Sequence, residues 1–227
     1  MSEERYLRNM MLLSPEENAR LKDFRVGVIG CGGLGGYCLE MLGRLGIGQI
    51  TAVDGDVFEP TNLNRQLLAD ETTLGQNKAL AAQARMAKVN PLIAVRAIPE
   101  RFTDSNGREI LQGQDVVIDA LDNLETRFLL QDLARELAIP LIHGAVAGWY
   151  GKVTTIFPGD DTLDRLYRRE QRNGLEQKIG TPAFTPAMVA AMQVSEALKV
   201  LLHKGQPLRH KLLYIDLHSN LMQLIDC

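Results

Sequence analysis

Residues 25–45 constrain the fold more than any other segment of the sequence. Arg25–Ile29 is an apolar run that is typical of a buried parallel strand. A glycine-rich turn with the sequence G-C-G-G-L-G follows directly at residues 30–35, and a helical pattern continues from residue 36 to about residue 45. Glycines let a backbone approach a phosphate closely, and the free N–H groups of a helix start point towards it. The segment therefore predicts a nucleotide site, but it indicates neither the nucleotide nor the reaction.

Composition and charge exclude several classes of protein. The chain has 227 residues, of which 45% are hydrophobic and 23% are charged, as expected for one compact domain. The net charge of −3 gives no reason to expect nucleic acid or an anionic membrane as a partner. Three cysteines without a C-x-x-C pair indicate neither a disulfide framework nor a zinc site. The charged N-terminus and the lack of a long apolar run predict a cytoplasmic protein.

Strand and helix patterns alternate along the chain. Strands are predicted at residues 49–54, 92–98, 115–120, 139–145 and 152–157, and helices at 76–89, 104–111, 123–138 and 186–203. This alternation predicts an α/β fold of the Rossmann-like, doubly wound type, with a mostly parallel sheet. A terminal hairpin at residues 211–226 would add antiparallel strands at the C-terminal part.

The rest of the chain is expected to be organised around this sheet in a single domain that covers residues 1–227. Residues 1–24 are predicted to form an N-terminal helical segment, in which Ser14 is a helix N-cap. Residues 158–185 are charged and contain several glycines and prolines, which is typical of a mobile surface loop.

Charged residues follow the second predicted strand. Asp54 ends that strand 24 residues after Gly30, where a dinucleotide-binding fold has the acid that accepts a hydrogen bond from a ribose hydroxyl. An ordinary surface acid is the alternative. The next residues with polar or cationic side chains are Asp56, Asn62, Arg65, Gln66 and Lys78. Hydride transfer has little need of cations beside the phosphates, whereas attack on a phosphate needs them to offset developing charge. This set therefore favours phosphate chemistry, although Lys78 alone is equally well explained as a solvated helix lysine.

Asp122 follows a buried strand at the edge of the sheet where α/β proteins bind ligands. A carboxylate at this position can hold Mg²⁺ that bridges phosphate oxygens. The alternative is that Asp122 caps the helix that begins near Asn123, and one residue can do both.

Six motifs in this order resemble the HesA/MoeB/ThiF family, the bacterial relatives of ubiquitin-activating enzymes. They are Arg5-Tyr6-Leu7-Arg8, Gly30-Cys31-Gly32-Gly33-Leu34-Gly35, Asp54-Gly55-Asp56, Asn62-Leu63-Asn64-Arg65-Gln66, Gly75-Gln76-Asn77-Lys78 and Asp122-Asn123. The resemblance covers nearly the whole chain. It implies ATP-dependent adenylation of the C-terminal Gly-Gly carboxylate of a ubiquitin-like sulfur-carrier protein, with release of pyrophosphate.

The resemblance also implies a role for individual residues. Catalysis would depend on Arg8, Arg65, Lys78 and Asp122, with Arg8 reaching across from the partner subunit of a homodimer and Asp122 anchoring Mg²⁺. The nucleotide would be bound by Gly30, Gly32, Gly33, Gly35, Asp54, Asp56, Asn62, Arg65, Gln66, Lys78, Asp122 and Asn123.

The chain departs from the family in its cysteines. Many members have two zinc-binding C-x-x-C pairs, and others have a cysteine in the mobile loop, whereas this chain has neither. We therefore expect no zinc and no covalent carrier intermediate on that loop. Two other functions remain open: an NAD-dependent oxidoreductase that uses the same glycine turn, and a non-catalytic member that only binds a carrier.

Overall fold

A computed structural model describes residues 4–169 and 179–227, which contain eight strands and seven α-helices. The strands are β1 Arg25–Ile29, β2 Gln49–Val53, β3 Ala94–Ile98, β4 Val116–Asp119, β5 Leu141–Ala147, β6 Tyr150–Ile156, β7 Lys211–Asp216 and β8 Leu221–Asp226. The helices are α1 Pro15–Arg20, α2 Gly33–Leu45, α3 Lys78–Val89, α4 Asp104–Leu111, α5 Leu124–Glu136, α6 Thr162–Leu166 and α7 Phe184–Leu202. Short 3-10 turns lie at Glu4–Tyr6, Leu21–Asp23 and Pro60–Asn62.

All eight strands form one sheet in the order β3-β2-β1-β4-β5-β6-β7-β8. The first five strands in this order pair in parallel, and the last three extend the sheet through antiparallel pairs. The predicted doubly wound α/β sheet with antiparallel strands at its C-terminal part is thus confirmed. In the described part of the chain, no helix is long and apolar enough to cross a membrane.

Helices cover both faces of the parallel half, because its strands are apolar on both sides. One core cluster includes buried residues of α2, α3 and α7, and the cluster on the opposite face includes those of α4, α5 and α6. Every residue of β4 is buried. Burial on both faces explains why β1 and β4 have near-continuous apolar sequences instead of alternating ones.

The register of the parallel strands brings the polar residues that follow them together. Ile29 at the end of β1 lies between Val53 at the end of β2 and Asp119 at the end of β4. The chain therefore leaves these three strands at one edge of the sheet, where doubly wound folds bind their ligands.

The boundaries of two elements near this edge differ from the prediction. Helix α2 begins at Gly33, three residues before the predicted start, because the low helix propensity of glycine does not prevent Gly33 and Gly35 from adopting helical backbone angles. Strand β5 is displaced by two residues from the predicted 139–145, and Ile139 packs in the second core cluster before the strand begins.

The segment predicted as a mobile loop, residues 158–185, is described only in part. In its first part α6 buries Leu163 completely, and Arg209 forms an ion pair with Asp160 at 2.8 Å. Its last residues belong to α7, which begins at Phe184. Residues 170–178 lie outside the described residues. In the N-terminal segment, Ser14 is the N-cap of α1 as predicted, and its hydroxyl accepts a hydrogen bond from the Glu17 amide.

Candidate functional site

The glycine turn between β1 and α2 is shaped by contacts that exclude side chains. Gly30 has a φ of +97°, and a Cβ atom there would lie 2.5 Å from the carbonyl oxygen of Ala120. A Cβ atom on Gly35 would lie 1.8 Å from the carbonyl oxygen of Gly30. These two glycines are therefore needed to pack the start of α2 against the ends of β1 and β4.

Gly33 has a different environment, since a Cβ atom there would meet only ordinary contacts, with Pro186 at 3.6 Å. Gly32 is the N-cap of α2 and provides no side-chain cap. The first N–H groups of α2 are thus available to an anion. Beside them the Oε1 atom of Gln66 is buried and has no hydrogen-bond partner among the described residues. The uncapped helix start fits a bound phosphate group, whereas the Gln66 oxygen is an acceptor and can only take a hydrogen bond from a donor.

Asp54 lies directly after β2 and is held by backbone hydrogen bonds. Its Oδ2 atom accepts a 2.7 Å hydrogen bond from the amide of Cys31, and its Oδ1 atom accepts a 2.8 Å bond from the amide of Asp56. Burial raises the pKa of the Asp54 carboxyl, although both amides and Lys78 counteract this. The carboxyl links the glycine turn to the second strand and lines the cleft, and its contact with a ribose stays a prediction.

Lys78 is the first residue of α3 and is almost fully buried. Its Nζ atom lies 3.8 Å from Oδ2 of Asp56. Asn77 caps the helix with its Oδ1 atom and donates through Nδ2 to the carbonyl oxygens of Asp54 and Asp56. The cap therefore fixes Lys78 beside the Asp54-Gly55-Asp56 segment, which argues against the alternative of a solvated helix lysine.

Asp122 and Asn123 occupy the turn between β4 and α5. The Asn123 side chain caps α5 by accepting a hydrogen bond from the amide of Thr126, so the capping role considered for Asp122 belongs to its neighbour. The Asp122 carboxylate is exposed and lines the cleft. A single carboxylate lining this cleft would suit Mg²⁺, which proteins usually hold through one or two carboxylates.

Among the described residues, no group of three or more His, Cys, Asp or Glu side chains could hold a metal ion.

These residues surround a cleft of about 1130 Å³ at the carboxyl edge of the parallel strands. Ten of the proposed site residues line it: Gly30, Gly32, Gly33, Asp54, Asp56, Arg65, Gln66, Lys78, Asp122 and Asn123. Three do not. Gly35 lies beneath the turn, Asn62 is buried and accepts a hydrogen bond from the amide of Glu59, and Arg8 is exposed outside the lining.

Sequence reasoning missed a buried polar network next to the cleft. Asp119 accepts a 2.6 Å hydrogen bond from Nδ1 of His143, and His143 Nε2 lies 3.0 Å from the hydroxyl of Tyr167. The Nε atom of Arg127 is 3.5 Å from Asp119. The other Asp119 oxygen accepts from the amide of Leu121, immediately before Asp122. Burial lowers the pKa of His143 despite its carboxylate partner. The network therefore fixes the turn that presents Asp122.

Two of the three cysteines are buried in the core. Burial raises the pKa of the Cys31 and Cys38 thiols, which disfavours the reactive thiolate. Cys227 is partly exposed at the end of the chain.

Comparison with known proteins gives one family and several relatives over nearly the whole chain. The ThiF family model matches residues 6–227. The chain is 38% identical over 235 residues to the sulfur carrier protein adenylyltransferase of Thermus thermophilus, with 97% of this chain and 86% of the relative covered. It is 36% identical over 218 residues to the SAMP-activating enzyme E1 of Haloferax volcanii, with 94% and 81% covered. It is also 32% identical over 219 residues to the molybdopterin-synthase adenylyltransferase of Salmonella typhimurium, with 93% and 87% covered.

Solved structures have the same fold at low sequence identity. The crystal structure of PaaA superposes with a TM-score of 0.83 at 21% identity, over 99% of this chain and 82% of that one. The structure of E. coli MccB with ATP superposes with a TM-score of 0.73 at 22% identity, over 92% of this chain and 65% of that one. At this low sequence identity, the similarity to the solved structures shows only that the fold is shared.

Proposed function

Because this chain belongs to the ThiF family, we propose that it is an ATP-dependent adenylyltransferase. Its substrate is a ubiquitin-like sulfur-carrier protein, whose C-terminal Gly-Gly carboxylate it activates as an acyl-adenylate. The names of three relatives support this reading: a sulfur carrier protein adenylyltransferase, a SAMP-activating enzyme E1 and a molybdopterin-synthase adenylyltransferase.

The observation that supports the proposal most strongly is the convergence of opposite charges on the glycine turn. Lys78 and Arg65 line the cleft together with the uncapped start of α2, while Asp54 and Asp122 line it from the ends of β2 and β4. Cations and helix N–H groups bind phosphates, and a buried acid beside them accepts hydrogen bonds from a ribose. A nucleoside triphosphate satisfies both halves of this pattern.

The reaction requires alignment and charge stabilisation, but no general base. A C-terminal carboxylate is ionised at neutral pH and can attack the α-phosphorus directly. The bond from the α-phosphorus to the bridging oxygen breaks, and pyrophosphate leaves with the electron pair. Lys78 and Arg65 offset the negative charge that moves onto pyrophosphate. Mg²⁺ held by Asp122 would supply further positive charge at the phosphate oxygens.

We also propose where the enzyme acts and how it assembles. It acts in the cytoplasm and binds neither nucleic acid nor a membrane surface. It forms a homodimer, in which Arg8 of each protomer completes the cleft of its partner. Cys31 and Cys38 take no part in sulfur transfer, since both are buried in the core. In this proposal the chain adenylates the carrier and leaves sulfur transfer to other proteins.

The test is isotope exchange between pyrophosphate and ATP. We expect exchange with Mg²⁺ and a carrier protein that ends in Gly-Gly, and no exchange with the same carrier shortened by its last glycine. A thermal shift with NADH and none with Mg-ATP would instead favour the oxidoreductase reading. Binding of ATP and carrier without exchange would indicate a non-catalytic member.

A further inference from the structure

The cleft runs along the carboxyl edge of the sheet, from the glycine turn after β1 to the residues that follow β3. At its phosphate end, Arg65 lies against the glycine turn, with its Cγ atom 3.9 Å from the Cβ position of Gly33, and Lys78 lies midway, beside Asp56. The other end lies beyond Asp54 and is lined by the apolar side chain of Phe102, which packs in the same core cluster as Val53 at the end of β2. An aromatic base requires apolar walls of this kind, so the nucleotide base belongs at this second end.

An arginine lines this base end. Arg101 follows β3 at the same edge of the sheet and precedes Phe102 in the cleft lining. Its backbone nitrogen and its Cγ atom each lie 2.7 Å from the Cβ position of Gly55. Arg101 is therefore packed directly on the segment that contains the acid for the ribose, whereas Arg65 is packed on the segment that binds phosphate.

The guanidinium of Arg101 is weakly held and free to change partner. Its Nη2 atom lies 3.3 Å from Oδ1 of Asp56, and 82% of the Arg101 side chain is exposed. An exposed ion pair of this kind contributes little to stability. The other oxygen of Asp56 faces Lys78 at 3.8 Å, so Asp56 keeps a cationic partner when Arg101 turns away.

We propose that Arg101 binds the base-and-ribose end of the nucleotide and thereby positions ATP for the attack at the α-phosphorus. This inference rests on the proposed function only in its choice of nucleotide. A planar guanidinium stacks on the face of an aromatic base and also donates hydrogen bonds to ribose oxygens. Asp56 holds the guanidinium at the mouth of the cleft until the nucleotide enters.

The experiment compares ligands that differ only in their phosphates. Binding of Mg-ATP, AMP and adenosine is measured by calorimetry or by competition with a fluorescent ATP analogue, for the wild type, Arg101→Ala and Arg101→Lys. Arg96→Ala is the matched control, because Arg96 is an exposed arginine of β3 that pairs with Glu109 outside the cleft lining. Thermal unfolding without ligand checks that all variants are folded.

We expect Arg101→Ala to weaken all three ligands by the same factor, about fivefold, which corresponds to about 1 kcal/mol for a stacked arginine. Arg101→Lys should weaken them similarly because it lacks the planar group, and Arg96→Ala should bind like the wild type. A loss that grows from adenosine to ATP would overturn the proposal, since it would show that Arg101 binds phosphate. Unchanged binding would also overturn it.

The same data separate this inference from the function on which it rests. If the wild type binds adenosine and ATP, and Arg101→Ala weakens both equally, the inference stands even if pyrophosphate exchange is absent. If the wild type exchanges pyrophosphate and Arg101→Ala binds normally, only the inference fails. A wild type that binds none of the three ligands would overturn both.

Discussion

The parallel and antiparallel halves of the sheet differ in how tightly the surrounding structure constrains them. In the parallel half, all four residues of β4 are buried, and helices cover both faces. In the antiparallel half, all six residues of the edge strand β8 are exposed, including large apolar side chains such as Leu224. The strand ends that form the cleft belong to the constrained half. Precise positioning of charged groups thus depends on packing that the exposed edge strand lacks.

Two glycines of the constrained half, which are separated by one residue, provide the largest expected effect. Gly35→Ala would place a methyl group 1.8 Å from a backbone oxygen, so we expect it to destabilise the fold by more than about 3 kcal/mol or to prevent folding. Gly33→Ala meets only ordinary contacts and should stay within about 1 kcal/mol of the wild type. Urea unfolding measures both, and equal stability of the two variants would contradict the packing described for the turn.

The second largest effect is expected in catalysis. Lys78→Ala should lower the rate of pyrophosphate exchange about 100-fold or more, because a buried cation directed at the phosphates is lost. Lys88→Ala is the matched control, since Lys88 belongs to the same helix and is exposed. Exchange that survived Lys78→Ala would remove the central residue from the proposed site.

At the boundary between the two halves, His143 is expected to make the stability of the fold depend on pH. His143 in β5 is fully buried and its pKa is lowered, so the folded protein binds a proton on this ring less readily than the unfolded chain does. This contribution to stability is complete above the unfolded pKa of about 6.5 and is lost as the pH falls below it. The wild type should therefore lose stability relative to His143→Gln between pH 7.5 and 5.5.

Chemical denaturation at each pH measures this difference, and each unit of pKa change is worth about 1.4 kcal/mol. If the wild type and His143→Gln differed in stability by the same amount over this pH range, the buried ring would not control the pH dependence of stability.

The smallest effect is expected when one methylene group is removed from a side chain in each half of the sheet. Ile118→Val in β4 should cost about 1 kcal/mol, because the side chain is fully buried and its neighbours cannot fill the space. Ile225→Val in β8 should change stability by less than about 0.5 kcal/mol, since that side chain is 41% exposed. Similar costs at both positions, measured by thermal unfolding, would mean that the two halves are constrained alike.

The sequence predicts most of the fold because its patterns are local. Apolar runs and caps such as Ser14 mark the elements, and their alternation determines the winding of the sheet. Asp54, Lys78 and Asp122 line one cleft, and this could be predicted because each stands beside a recognisable strand or helix end. The start of α2 at Gly33 was missed because glycine propensity favours a turn.

Other contacts at the site join residues that no motif connects. Arg101 follows a strand with no phosphate-binding signature, and only the packing on Gly55 places it in the cleft. Asp119 and His143 are 24 residues apart on neighbouring strands, and their pairing depends on the register of β4 with β5. Such pairs form only in the tertiary structure, so no local pattern in the sequence predicts them.

The central claim is that a carboxylate attacks the α-phosphorus of a nucleotide bound in this cleft. The most direct test uses a carrier protein with ¹⁸O in its C-terminal carboxylate, incubated with Mg-ATP and enzyme, followed by cleavage of the product with hydroxylamine. We expect one ¹⁸O atom in the released AMP, because the bridging oxygen comes from the carrier. Label in inorganic phosphate, with ADP as the nucleotide product, would show attack at the γ-phosphorus and contradict the account.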